Sequence, residues 1–348
     1  MIIEHDNSST LDRFNRGLIE KGLTPCVTMT VMKENSLVYK FVEGYSSVGD
    51  KDAIVINDKT LFNIGSVTKP VTASLIVKLI EKGMLTLDDP VKKYIPEYKF
   101  DNVTLFHLMT HTAGYDEIIN FDLEWPKSTS ELKDYFRKIY SIDYLKYEPG
   151  TADIYCTQGY TILMDIIERI TGKSLEEFAK AELFEPLGMM NTTFELNRKK
   201  TNNYALPWKK TDEHIFDYLK FTPPTGDSGL YSTAFDMIKF ANLFLNDGIH
   251  EGKQIFSKAS VNMMLRESTG GQFFKTPVFW YKGYKNSKGA FGDLNSNETV
   301  GHAGFSGTVM VIDPIYNITI VFFTNSNDVH DDYSIYRRLC NVTMAALV

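Results

Sequence analysis

Within Phe62-Asn63-Ile64-Gly65-Ser66-Val67-Thr68-Lys69-Pro70, a serine is followed three residues later by a lysine. On a helix that spacing puts both side chains on one face, within hydrogen-bond reach. A serine hydroxyl is a weak nucleophile until a neighbouring base takes its proton. A lysine can be that base when its surroundings depress its pKa. The chemistry would be acyl transfer through an ester on Ser66, and it calls for no cofactor and no metal. At a helix N-terminus, Ser66 would also gain from the dipole and open N–H groups that favour developing negative charge. Ser-x-x-Lys is short enough to arise by chance, so the argument needs further segments.

Two such segments exist. Tyr155-Cys156-Thr157 follows Tyr147-Glu148-Pro149-Gly150 and precedes an amphipathic run. Gly301-His302-Ala303-Gly304-Phe305 precedes two apolar, β-rich runs. Other apparent motifs carry less. Gly226-Asp227-Ser228-Gly229 has the serine-protease letters without a matching His and Asp context upstream. Gly304-Phe305-Ser306-Gly307 does not satisfy Gly-x-Ser-x-Gly. His107 and His111 have the i, i+4 spacing of a zinc helix but lack its glutamate, so His111 is expected to make structural hydrogen bonds. Cys156 reads as a buried small hydrophobe. Phe273-Phe274 and Phe279-Trp280-Tyr281 could line an acyl pocket or simply pack the core.

These residues need elements to hold them. A helix is expected after Ser8-Ser9-Thr10, stopping at Gly22. Val27–Met32 and Leu37–Phe41 read as strands joined by a turn at Lys33–Ser36. Ser66 to Lys82 reads as a helix closed by Gly83. The middle is helical: Thr104 to Met109 with a Thr cap, the 3.6-residue apolar period from Tyr160 to Ile170, a capping box at Ser174–Glu177, and Thr233 to Asn246. Strands return at Gly307–Ile312 and Ile318–Phe323, and Asp331 to Leu347 closes the chain as a helix. The expected fold class is α+β. One antiparallel sheet is built from both chain ends and flanked by the terminal helices, with residues 1–84 and 226–348 forming this part. Residues 85–225 would form an all-α subdomain.

Composition sets the outer limits. The chain has 348 residues, 43% of them hydrophobic and 23% charged, with a net charge of −7. That is ordinary for a globular enzyme and poor for nucleic-acid binding, which needs a clustered cationic face. The short basic runs Arg198-Lys199-Lys200 and Lys209-Lys210 read as solvated surface. Three widely spaced cysteines, Cys26, Cys156 and Cys340, make neither a disulfide framework nor a metal pair. Met1 to Asp6 has no leader pattern and no run suits a membrane span, so the expected location is cytoplasmic.

Taken in chain order, Ser66-x-x-Lys69, Tyr155 and His302-x-Gly304 match the signature set of serine β-lactamases and penicillin-binding proteins. The chain resembles the serine β-lactamase-like superfamily, in the branch holding class C β-lactamases, D-Ala-D-Ala carboxypeptidases and related esterases. Leu108–Gly114, Glu148-Pro149-Gly150, Pro186–Met189 and Gly229–Thr233 with Asp236 resemble further family segments, so the likeness spans nearly the whole chain. The resemblance implies that Ser66 is acylated, Lys69 shares its proton, and Tyr155 acts as general base, its pKa lowered by the Lys69 ammonium. It puts His302 where the family has the lysine of Lys-Thr-Gly, ahead of Gly304. The backbone N–H groups of Ser66 and Phe305 would form the oxyanion hole.

Two departures matter. Thr157 replaces the asparagine of Tyr-x-Asn, and a hydroxyl reaches less far than an amide. A neutral His302 would hold a substrate carboxylate less firmly than lysine. The expected activity is therefore a serine hydrolase acting on a small ester, amide or peptide, with ester hydrolysis first. The rivals are a D-Ala-D-Ala carboxypeptidase, a β-lactamase, an acyltransferase using the same residues, and a non-catalytic acyl-binding sensor. The intact Ser66, Lys69 and Tyr155 argue against the sensor.

Overall fold

The computed structural model describes residues 8–48, 51–116, 126, 128–197, 199–210, 223, 225–282 and 290–348. Met1 to Asp6 and Arg198 lie outside the described residues. The helices are α1 (Ser8–Glu20), α2 (Thr68–Glu81), α3 (Leu105–Met109), α4 (Leu132–Ser141), α5 (Gln158–Thr171), α6 (Leu175–Ala179), α7 (Ala234–Asn242), α8 (Lys258–Leu265), α9 (Asn327–Asp331) and α10 (Tyr333–Leu347). The strands that matter here are β1 (Cys26–Lys33), β2 (Ser36–Gly44), β3 (Leu61–Asn63), β4 (Tyr204–Ala205), β5 (Tyr231–Ser232), then, after a small two-stranded ribbon of β6 (Ile249–His250) and β7 (Lys253–Gln254), β8 (Trp280–Tyr281), β9 (Val300–Gly304), β10 (Thr308–Asp313) and β11 (Ile318–Phe323).

The main sheet runs β2-β1-β11-β10-β9-β8, antiparallel throughout, so both chain ends contribute to it as expected. The β1–β2 hairpin closes through Glu34 and Asn35, whose φ values of 50° and 64° give the mirror-image turn that suits strand twist. Side chains alternate between two cores, as a period of two requires. Val309, Val311, Ile320 and Phe322 pack with Leu11, Leu18, Leu339 and Met344 from the terminal helices. Met310, Ile312, Val321 and Phe323 point the other way, into the larger core with Val71, Leu75 and Met237. With both faces covered, the central strands read as unbroken apolar runs.

Helix boundaries follow local chemistry. Thr104 and Ser174 each close a capping box, with His107 and Glu177 as the returning partners. The expected C-terminal helix forms as α10, beginning at Tyr333, and a short α9 precedes it; Asp332 between them (φ −107°, ψ 82°) caps α10 through its carboxylate at the Ser334 N–H. Ser66 differs from expectation. It lies in a 3₁₀ turn, Gly65–Val67, and the α-helix proper begins at Thr68. No helix of the described residues is long and apolar enough to cross a membrane.

Candidate active site

Strand β3 delivers the chain to Ser66, and three sets of contacts fix its exit. Asn63 accepts the Gly65 N–H at 3.0 Å and donates to the Ser228 carbonyl at 3.2 Å, setting the turn. Ser306 and Thr308 hydroxyls donate to the Asn63 and Ile64 carbonyls at 2.6 and 2.8 Å. Gly304 is required where β9 crosses this segment, because a Cβ there would stand 2.2 Å from the Ile64 carbonyl oxygen. The Ser66 turn and the β9–β10 turn are thus laced together through backbone groups.

Gly65 sits inside that junction. Its φ is +52°, and a Cβ on it would stand 3.0 Å from the Phe305 backbone nitrogen. Gly65→Ala is expected to move Phe305 relative to Ser66 and to lower kcat/KM about 10²-fold, the worth of one oxyanion donor. Steady-state ester hydrolysis, with circular dichroism to verify folding, checks this.

Lys69 is fully buried, 0% exposed, in the first turn of α2. Its Nζ lies 3.2 Å from Ser66 Oγ and donates to the Asp227 carbonyl at 3.2 Å. Burial pulls its pKa down to about 8, against the opposing pull of the Asp227 carboxylate. Near neutral pH a usable fraction is therefore free amine beside the Ser66 hydroxyl. The Gly226-Asp227-Ser228-Gly229 segment supplies no nucleophile. It backs Lys69, and it is tied to α2 by the Thr72 hydroxyl on the Gly226 carbonyl at 2.6 Å.

Tyr155 stands across Ser66, its ring centroid 4.8 Å from Lys69 Nζ. The expectation that Lys69 would lower its pKa does not hold. Burial pushes the phenol up, outweighing its hydrogen bond with Ser66, which leaves Lys69 as the candidate base beside Ser66.

His111 holds the tyrosine loop, a role beyond the general hydrogen bonding anticipated for it. Its Nδ1 accepts the Cys156 N–H at 3.2 Å, its carbonyl accepts the Ile154 N–H at 3.0 Å, and its ring lies 4.4 Å from that of Tyr155. Its own φ is +60°, a strained value of the kind found at functional sites. His107 instead turns its Nδ1 to the Thr104 N–H at 3.1 Å, so the two histidines serve separate loops. His111→Ala is expected to lower kcat by roughly 10–100-fold through displacement of Tyr155. His111→Asn should recover most of it, since asparagine tolerates positive φ and its Oδ1 stands where Nδ1 stood. Comparing kcat and KM for the two variants checks this, because simple loss of packing would not be rescued by Asn.

The cleft above these groups is about 260 Å³, with Ser66 and Tyr155 at its floor and Trp280, Phe305, His330 and Tyr333 as walls. Of the aromatic candidates only Trp280 reaches it; Phe279 packs on Phe244 in the core, ring centroids 4.9 Å apart. His302 does not line the cleft. It is 2% exposed, and the Trp280 indole stacks over its imidazole at 4.1 Å. Thr157 also stands off the cleft, at the start of α5, with its carbonyl accepting the Tyr160 N–H at 3.0 Å. Cys156 is buried, its thiol pushed up to about 11. His330 and Tyr333 escaped the sequence reading because a break between α9 and α10, not a motif, brings them here.

The comparisons with known proteins agree with this frame. The profile of the Beta-lactamase family matches residues 11–340. An Escherichia coli K12 protein named "Putative D-alanyl-D-alanine carboxypeptidase" is 26% identical over 90% of this chain and 81% of its own. A penicillin-binding protein homologue from Caulobacter crescentus superposes with TM-score 0.81 at 18% identity, covering 98% of each chain. The structure of EstCE1, a hydrolase with promiscuous acyltransferase activity, superposes with TM-score 0.76 at 19% identity, covering 97% of this chain and 98% of its own. These matches place the chain among the β-lactamase-like serine hydrolases. It belongs to the Beta-lactamase family.

Proposed function

We propose that the protein hydrolyses small carboxylic esters through an acyl-enzyme on Ser66. The observation that carries this is the Lys69 amine, fully buried and 3.2 Å from Ser66 Oγ. Neutral Lys69 takes the Ser66 proton as Oγ attacks the substrate carbonyl carbon. The oxyanion is held by the N–H groups of Ser66 and Phe305, which needs no reorganisation as charge develops. The departing alkoxide takes its proton from the Tyr155 phenol, which recovers one from the Lys69 ammonium. Water then attacks the acyl carbon by the same route in reverse, giving the acid and free Ser66.

A second reading, D-Ala-D-Ala carboxypeptidase, is favoured by the name of the E. coli relative. The burial of His302 beneath Trp280 weighs against it, since a terminal carboxylate would find no cation at that place. Intact-mass spectrometry after rapid quench, with a p-nitrophenyl ester and separately a penicillin, separates the readings. Ester turnover with a transient adduct on Ser66 and no lasting penicillin adduct is the expected result. A stable penicillin adduct with no ester turnover would reverse the assignment.

A further inference from the structure

The cleft is narrow and almost wholly aromatic. Phe305 and His330 rings meet at 5.5 Å and His330 and Tyr333 at 5.3 Å, making one continuous aromatic wall. Trp280 faces them, edge-on to Tyr155 at 6.0 Å. Ala303 also lines the cleft. At about 260 Å³ the space falls just under the range that holds drug-sized ligands, so it suits a compact group.

Its electrostatics are as restrictive as its shape. No lysine or arginine lines it among the described residues. Among the described residues, two buried ammonium groups behind its walls are already engaged. Lys69 donates to the Asp227 carbonyl beneath Ser66. Lys275, 3% exposed, is ion-paired with Asp153 at 3.4 Å, and its Nζ lies 5.5 Å from the Trp280 ring. Trp280 thus occupies the approach to both Lys275 and His302. Among the described lining residues His330 is the one with basic character, and burial lowers its pKa, which disfavours the imidazolium. A carboxylate entering this cleft would lose its hydration without gaining a cation, which is strongly unfavourable. An aromatic or branched apolar group would bury its whole surface against rings.

Resting on the esterase reading above, we infer that the cleft is an acyl pocket selecting a compact, uncharged, aromatic or branched acyl group and rejecting one that ends in a carboxylate, with Trp280 and Tyr333 as the specificity-determining walls.

The test holds the leaving group constant and varies the acyl group, using p-nitrophenyl esters of 3-phenylpropionate, acetate and succinate (the half-ester). The 3-phenylpropionyl ester should exceed the half-succinate in kcat/KM by about 100-fold or more, the scale set by an unpaired buried charge. It should exceed the acetyl ester by about tenfold, as expected for apolar groups filling a pocket. Trp280→Ala should shrink the phenylpropionyl-to-acetyl ratio about tenfold. Tyr333→Ala, on the opposite wall, should lower the same ratio and provides an independent variant. Equal or better turnover of the half-succinate, or an unaltered ratio in both folded variants, would overturn the acyl preference while leaving the esterase reading standing. Failure of all three esters to acylate Ser66 would instead sink the esterase reading, and the inference with it.

Discussion

Ser66→Ala is expected to abolish acyl-enzyme formation and to cut kcat/KM for esters by at least about 10⁴-fold, leaving the background that an oxyanion hole and binding alone sustain. On the proposed mechanism the substitution removes the one atom that would form the covalent bond and little else. Ser66 lies in the 3₁₀ turn before α2, and that turn is held by Asn63, Ser306 and Thr308 through backbone groups that do not involve the Ser66 side chain. Lys69 keeps its hydrogen bond to the Asp227 carbonyl. The lost hydroxyl contact is worth about 1 kcal/mol, so thermal unfolding should shift by a few degrees at most. Mass spectrometry should find no acylated protein after quench, against a transient adduct in the wild type. Turnover above about one percent of wild type, a loss of less than 10²-fold where a covalent nucleophile costs far more, would exclude Ser66 as the nucleophile.

The Ser66–Lys69 pairing was legible because Ser-x-x-Lys depends only on helical spacing, and the i, i+3 relation holds across the 3₁₀-to-α junction even though the helix starts at Thr68. The sheet was legible because β10 and β11 are covered on both faces and therefore written as apolar runs. The fate of His302 was not. Its place on β9 follows from the sequence, but its burial depends on Trp280, which β8 pairs to Gly301, and a two-residue strand leaves no periodic trace. The protonation of Tyr155 was missed for a related reason. Proximity of a lysine is visible in the motif, whereas desolvation comes from tertiary packing, here the rings of His111, Trp280 and His302 around the phenol. Desolvation dominates for both groups, raising Tyr155 against its hydrogen bond with Ser66 and lowering Lys69 against the Asp227 carboxylate.

That balance makes Lys69 the most informative residue to change. Lys69→Met and Lys69→Arg are both expected to lose about 10³-fold or more in kcat/KM, the upper part of the range for general-base catalysis. Arginine keeps a positive charge but does not release its proton, so it separates the base from the ammonium. In the wild type, kcat/KM should rise with pH through a midpoint near 8, because the active form is the free amine and burial brings its pKa to about that value. Folding stability should follow the same group. The folded-state pKa of about 8 lies below the ordinary 10.5, so between those values the unfolded chain binds more protons and stability rises with pH. Below about pH 8 the full cost of a buried ammonium applies, about 3 kcal/mol at 1.36 kcal/mol per pH unit. Urea unfolding of wild type and Lys69→Met at pH 7.5 and 10 isolates this contribution, since the other titrating groups are shared. A wild-type stability that rises relative to the variant by about 2–3 kcal/mol over that interval, together with the rate midpoint near 8, would establish Lys69 as the base. A flat rate profile, or activity retained by Lys69→Arg, would return that role to Tyr155.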